Sequence, residues 1–204
     1  MERLLKRNNM DNCKFCNLDI SIIYNTIIEE TDNFIVIPSL GSLVEGYILI
    51  LSKNHYNNMS ELNKDEKIEY LNLINKYRNL FNKIYSKYPI IFEHGDVNDN
   101  INTSSIKHAH THIVNYNFKD ELNIINKLNF NIINNINDIK NNTYYIMYIN
   151  EYNKIYITYN YNSISQLMRI LIAKDLNLED KYSWKDNKFN NNIKLTIDKI
   201  KDNI

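Results

Sequence analysis

The chain has 204 residues, and its 24 Lys and Arg balance 24 Asp and Glu, giving a formal net charge of zero. That balance argues against the one-signed field of a nucleic-acid binder or of a protein that seeks a cationic partner, and no apolar stretch approaches the roughly 18 residues that cross a bilayer. Arg3, Lys6 and Arg7 make the first dozen residues too polar for a secretory signal, so they read as a basic terminus, and a cytoplasmic protein is the default expectation. Asn, Ile, Lys and Tyr are over-used while Gly and Pro number three and two, a pattern of nucleotide bias in the source genome. The few Gly, Pro, His, Cys and Trp residues that survive such a bias carry more information than usual.

In chain order, Cys13-Lys14-Phe15-Cys16 comes first and holds both cysteines at the spacing of half a zinc site. A redox pair or coincidence gives the same string, but its flanks show neither the strand nor the helix of a thioredoxin-like motif. Zinc needs four ligands, so two histidines would come from His55, His94 and the His108, His110, His112 set. Phe34–Ile37 and Tyr47–Leu51 are β-rich runs separated by Pro38, Gly41 and Gly46. From Ser60 onward, Leu62, Ile68, Leu71, Ile74, Leu80, Phe81 and Ile84 have the spacing of one amphipathic helix that ends near Tyr88-Pro89. Ile90–Glu93 reads as the next strand, followed by Gly95, a polar loop to Ser105, and a strand that carries the histidines.

This order with short links predicts an α+β fold, an antiparallel β-sheet packed on a long helix. Farther on, Tyr144–Ile149 and Lys154–Tyr159 read as a hairpin, Ser163–Leu176 as a helix capped by Ser163 or Ser165, and Asn192–Ile200 as a last short helix. No linker or change of composition separates this part. We therefore divide the chain into a domain over residues 1–117 and a C-terminal extension, 118–204, packed on the same domain.

The run Lys107-His108-Ala109-His110-Thr111-His112-Ile113-Val114 concentrates three of the five histidines at alternate positions. On a strand they share one face, with Ala109, Thr111 and Ile113 on the other. Such a row fits a single catalytic metal held by three imidazoles. It equally fits an imidazole nucleophile toward phosphorus, oriented through its other ring nitrogen by a backbone carbonyl. Asn102, Ser104 and Ser105 are short donors just upstream that suit phosphate oxygens.

His108-Ala109-His110-Thr111-His112-Ile113-Val114 resembles the signature of the histidine triad (HIT) superfamily of nucleotide hydrolases and transferases. Asp32–Pro38, Glu45–Ile50 and Ser52–His55 resemble that family's two early strands and the following loop. Phe92-Glu93-His94-Gly95, and Ser165–Arg169 with Trp184 and Asn192 beyond, resemble a branch with an N-terminal CxxC and a C-terminal extension. The resemblance implies a HIT-like fold and a nucleotide or dinucleoside polyphosphate substrate cleaved at a phosphoanhydride or phosphoramidate bond. His110 would be the nucleophile that becomes a nucleotidyl-histidine, and His112 would position the phosphate with Ser104 or Ser105. It also implies structural zinc on Cys13, Cys16, His55 and His108, and pairing into a homodimer. Phe34 would flank the base, and Arg169 and Gln166 would reach the phosphates from the extension. The sequence departs from the family pattern at Tyr47, Ser52 and Asn115, and Asn98–Ser105 takes the place of a glycine-rich approach.

Other readings stand beside these. His94 either assists acid–base chemistry or caps the turn before Gly95. Glu93 and Trp184 read as structural, Phe34 reads as core where it does not flank the base, and Tyr24, Tyr47 and Tyr56 either line a base pocket or are structural among 16 tyrosines. A protein whose chemistry is vestigial, a catalytically weak, zinc-stabilised nucleotide-binding and interaction module, is the alternative to an enzyme.

Overall fold

The computed structural model describes residues 12–96, 106–141, 143–159 and 164–204. The basic terminus before residue 12, the segment with Asn102, Ser104 and Ser105, and the candidate cap Ser163 lie outside them. Among the described residues, eight strands form one antiparallel sheet. They are β1 (Glu29–Glu30), β2 (Phe34–Pro38), β3 (Tyr47–Ser52), β4 (Ile90–Gly95), β5 (His110–Val114), β6 (Asn131–Ile133), β7 (Tyr145–Ile149) and β8 (Ile155–Thr158). Their order across the sheet is β1-β2-β3-β5-β4-β7-β8-β6, so the histidine strand β5 lies in the interior between β3 and β4.

The helix α1 (Lys64–Tyr85) joins β3 to β4 and covers one face. It starts four residues later than the run from Ser60 predicts, because Asn63 forms a capping box with Glu66. Asn58 holds Met59–Glu61 in a separate 3-10 turn before it. The helix stops at Ser86, in the left-handed conformation, ahead of Tyr88-Pro89. Its buried face is also more aromatic than predicted: Tyr70 and Tyr77 are buried, whereas Ile68 is 51% exposed.

The opposite face is covered by the C-terminal part. The helix α3 (Leu167–Asp175) buries Leu167, Met168, Ile172 and Ala173 against Tyr47, Leu49, Phe92 and Tyr148. The short helix α2 (Glu121–Lys127), which the sequence pattern did not reveal, adds Ile124 and Ile125 to this layer. The helix α3 begins beyond Ser165, at Gln166, whose backbone is left-handed and which makes no capping bond, so the predicted serine cap is corrected. The last helix, α4 (Asn190–Lys201), bonds back to the turn before β3 through Thr196, whose hydroxyl accepts the Gly46 N–H. The β7–β8 hairpin falls where predicted, and β6 forms inside the Asn-rich tract because Ile132 and Ile133 pair with Tyr156 and Ile155. Among the described residues, no helix is long and apolar enough to cross a membrane.

Candidate active site and metal centre

Strand β5 begins at His110, two residues later than the alternating pattern suggests, and His108 sits in the bend before it. The bend is held by Ala109 N–H donating to the Tyr56 carbonyl at 2.7 Å. His108 consequently leaves the row formed by His110 and His112, and its ring faces the N-terminal cysteines.

Cys13, Cys16, His55 and His108 each offer one ligand atom, and these atoms lie within 4.8 Å of one another. His108 Nδ1 is 3.5 Å from Cys13 Sγ and 3.4 Å from Cys16 Sγ, and His55 Nδ1 is 3.2 Å from Cys16 Sγ. Zinc–sulfur and zinc–nitrogen bonds in a tetrahedron imply edges of roughly 3.3–3.8 Å, so the spacing fits zinc. The outer contacts agree. His108 Nε2–H donates to the Ser52 carbonyl at 2.7 Å, which leaves Nδ1 with its lone pair toward the thiols. Neither cysteine is in a disulfide. Among the described residues this is the one group that could hold a metal, and His110 and His112 are not part of it.

On the other side of the bend, His110 Nδ1–H donates to the His108 carbonyl at 2.6 Å. This bond fixes the tautomer and leaves the lone pair on Nε2. Burial lowers the His110 imidazole below the ordinary histidine range, with the carbonyl bond acting in the opposite sense. His112 Nδ1 lies 2.9 Å from the Tyr47 hydroxyl. Its ring stacks on Phe92, its cross-strand partner, at 4.4 Å between centroids and 12° between planes. Burial pushes His112 well below its usual range, and the neighbouring His110, His94 and Arg169 add to that effect. His94, on β4 two residues beyond Phe92 and so on the same face, is pushed down to about 4 by burial and by His110. A cluster of neutral imidazoles results.

These rings open on a cavity of about 380 Å³. Strand residues Ile37, Leu49 and Phe92 form its floor, the CxxC loop supplies Lys14 and Phe15, and the C-terminal part supplies Gln166, Arg169 and Trp184. Phe15 meets the His110 ring edge-on at 5.1 Å and the His108 ring at 5.8 Å, so the CxxC loop touches His110 directly.

Of the predicted site residues, His110, His112, His94, Gln166 and Arg169 share this cavity, and Cys13, Cys16, His55 and His108 gather behind it. Phe34 is corrected: it is fully buried on the α1 face against Tyr70 and does not line the cavity. Alternation along β2 turns Phe34 and Val36 to the helix and Ile37 to the cavity. Tyr24 lines the cavity, whereas Tyr56 bonds to Glu66 on the helix. Phe15, Phe92 and Trp184 are walls that sequence reasoning overlooked. The period-two relation of Phe92 to His94 and the position of Phe15 inside the CxxC were the available signals for two of them.

Comparison with known proteins gives the following. Residues 2–119 match the family described as "Protein similar to CwfJ C-terminal". No curated protein matches the chain. Solved structures that resemble it include a HIT family protein from Bacillus anthracis, at 18% identity and TM-score 0.42, over 51% of this chain and 72% of that one. A HIT family hydrolase from Clostridium thermocellum matches at 19% identity and TM-score 0.40, over 52% and 90%. One from Legionella pneumophila matches at 20% identity and TM-score 0.38, over 52% and 94%.

Proposed function

The chain belongs to the family of proteins similar to the CwfJ C-terminal region, and on that premise we propose that it is a HIT-like nucleotide hydrolase or nucleotidyl transferase acting through His110. The observation that carries this reading is the 2.6 Å bond from His110 Nδ1 to the His108 carbonyl, which holds a neutral ring with its Nε2 lone pair unprotonated in a chamber of nucleotide size.

In this reading His110 Nε2 attacks the α-phosphorus of a nucleotide. An N–P bond forms, and the bond to the leaving group breaks, its electron pair departing with the leaving group. Water or a second acceptor then displaces the imidazole and releases the nucleoside monophosphate or its transferred product. Tyr47 donating its hydroxyl to His112 Nδ1 leaves Nε2–H of His112 as a donor to a phosphate oxygen. The resemblance assigns Ser104, Ser105 and Asn102, which lie outside the described residues, to the phosphate oxygens, and His94 and Gln166 line the cavity where the leaving group would depart. Zinc on Cys13, Cys16, His55 and His108 would tie the N-terminal loop to the bend before β5, and through Phe15 to the nucleophile. Such a site requires reduced thiols, as an intracellular compartment provides.

We also read residues 1–117 as the catalytic HIT-like unit and 118–204 as an extension packed on it, which supports the same cavity. Pairing of two copies follows from the resemblance and is checked by sedimentation.

The test is transfer from an α-³²P-labelled nucleotide, with dinucleoside polyphosphates and adenosine phosphoramidate as substrates. Wild type should release AMP and carry acid-labile label on quenching, and His110→Ala should lose both, with a fall in kcat of more than about 10³-fold. Unchanged turnover in His110→Ala would falsify the mechanism. Tight nucleotide binding with neither turnover nor label would support the binding-module reading instead.

A further inference from the structure

We infer that Arg169 is a positioning residue: it fixes the direction of the Tyr47 hydroxyl, so that His112 keeps its proton on Nε2 and presents a donor to the phosphate. The C-terminal extension then acts on the histidine row through one tyrosine, not by touching the substrate. This inference rests on the nucleotidyl-transfer reading and says what sets its phosphate donor, but the nitrogen that carries the proton is observable without any substrate.

A neutral imidazole has one N–H, and the partner of one ring nitrogen decides which atom carries it. His112 is neutral, because burial first, and then His110, His94 and Arg169, push it well below its usual range. Its Nδ1 is 2.9 Å from the Tyr47 hydroxyl. Two arrangements satisfy that distance. Either Tyr47 donates and the ring proton sits on Nε2, or Nδ1–H donates and Nε2 turns a lone pair toward the phosphate, where it repels. The histidine strand does not choose between them.

Arg169 does. It is 4% exposed, its guanidinium lies 5.6 Å over the Tyr47 ring, and it bonds the Tyr47 hydroxyl. A guanidinium has donors and no acceptor, so the phenol oxygen accepts there. Were that oxygen to accept from His112 as well, the hydrogen of the fully buried Tyr47 would have only Ser39 to turn to. Ser39 is itself a donor, to the phenol oxygen and to the Leu40 carbonyl at 3.3 Å. A buried O–H without an acceptor is costly, and sending the hydrogen to His112 Nδ1 leaves no group unmet. Burial raises the Tyr47 phenol, with Arg169 and Ser39 acting in the opposite sense, so the hydrogen is retained.

The arginine is held for this task from its other edge. Nε donates to the Tyr182 carbonyl at 3.1 Å and Nη2 to the Gly41 carbonyl at 2.6 Å, which fixes the plane of the fork. A Cβ added at Gly41 would stand 2.8 Å from Arg169 Nη2, and the residue has φ +74°, so this place admits the arginine only with glycine opposite. Tyr47 is one of the positions at which the sequence departs from the family pattern, and its partner comes from the extension. The departure and the extension thus form one device, in which a donor-only group, a hydroxyl and an imidazole are ordered in a single direction.

Two measurements on the full chain test this. Long-range proton–nitrogen NMR spectra of protein labelled in its histidine rings read which nitrogen of His112 is protonated, with His112→Gln to assign its signals. Wild type should show Nε2–H alone, and so should Arg169→Lys, whose ammonium also only donates. Tyr47→Phe and Arg169→Met should both show an Nδ1–H population. A wild-type ring protonated on Nδ1 overturns the inference without recourse to any variant, and a folded Arg169→Met that keeps Nε2–H alone overturns it as well. The second measurement is kcat for AMP release from diadenosine triphosphate. Tyr47→Phe and Arg169→Met should each lower it about tenfold, and the double variant should fall no further than the slower single one. Losses that multiply in the double variant mean that Arg169 acts on the substrate directly, and they overturn the inference. If no substrate turns over and His110 takes no label, the nucleotidyl-transfer reading fails, while the ring spectra still decide where the His112 proton sits.

Discussion

His108 acts on both sides of the bend that precedes β5. Its ring offers Nδ1 to the cysteine thiols, its Nε2–H is held by the Ser52 carbonyl, and its own carbonyl takes the proton of His110 Nδ1. The candidate metal cluster and the orientation of the His110 ring therefore meet at one residue. Cys13→Ser is expected to lose zinc, measured by elemental analysis, and to lower Tm by at least about 5 °C, with no further fall on adding a chelator. Zinc content unaffected by that change would refute the ligand set. Glu93 offers a second residue-level prediction, away from the metal. It is 1% exposed, accepts Met59 N–H and Tyr145 O–H, and is pushed up to about 7 from 4.5 by burial, against those two bonds. A carboxyl whose folded value is raised binds more protons folded than unfolded between about pH 4.5 and 7, so its contribution to stability declines as pH rises through that window. Glu93→Gln should remove this slope. Denaturation midpoints of the variant and wild type should then diverge by up to an order of 3 kcal/mol between pH 4.5 and 8, in favour of the variant at the alkaline end. Parallel pH profiles would show that the carboxyl titrates normally.

At the scale of elements, β5 works because it is flanked on both sides. The β3 partner sets Leu51 opposite His110 and Leu49 opposite His112, while β4 sets Phe92 opposite His112. Two apolar neighbours and a stacked ring hold the imidazoles at fixed rotation, which histidines on an exposed loop would lack. The end of β4 is tight: a Cβ at Gly95 would stand 2.2 Å from the Tyr145 ring on the next strand. Gly95→Ala must displace that ring and its bond to Glu93, and is expected to cost about 1–3 kcal/mol by denaturant titration. The resemblance singled out the segment Phe92-Glu93-His94-Gly95, and its alternation is now intelligible: Phe92 and His94 face the cavity, Glu93 faces the helix side, and Gly95 makes room for Tyr145. The start of α1 was misread because Ser60 is as good a cap by type as Asn63. The reciprocal bond from Glu66 decides between them.

For the whole molecule, the C-terminal part closes one side of the cavity with Tyr144, Gln166, Arg169 and Trp184. The pairing of β4 with β7 continues the sheet across residue 118, and α3 covers the face on which His110 and His112 lie. A fragment of residues 1–119 would expose the β4 edge and the apolar face under α3, and it would lack Gln166, Arg169 and Trp184. It should fail to unfold cooperatively in circular dichroism and should aggregate in sedimentation. A monomeric, cooperatively folding fragment would mean that the extension is dispensable for the fold.

The α+β class and the strand–strand–helix–strand–strand core were legible in local periodicity. The CxxC gave only half of the metal set, and it was the family resemblance that chose His55 and His108 over His94. Alternation also placed His110 and His112 on one face, but it over-extended the strand to His108, because the Tyr56 and Ser52 carbonyls that turn that residue toward the cysteines are remote in the chain. It could not say which face of β2 met helix or cavity, so Phe34, a core residue by type, was set beside the base by the resemblance alone. The second layer of helices and the walls at Phe15 and Trp184 were decided only by tertiary packing, because they depend on which surfaces distant in the chain meet.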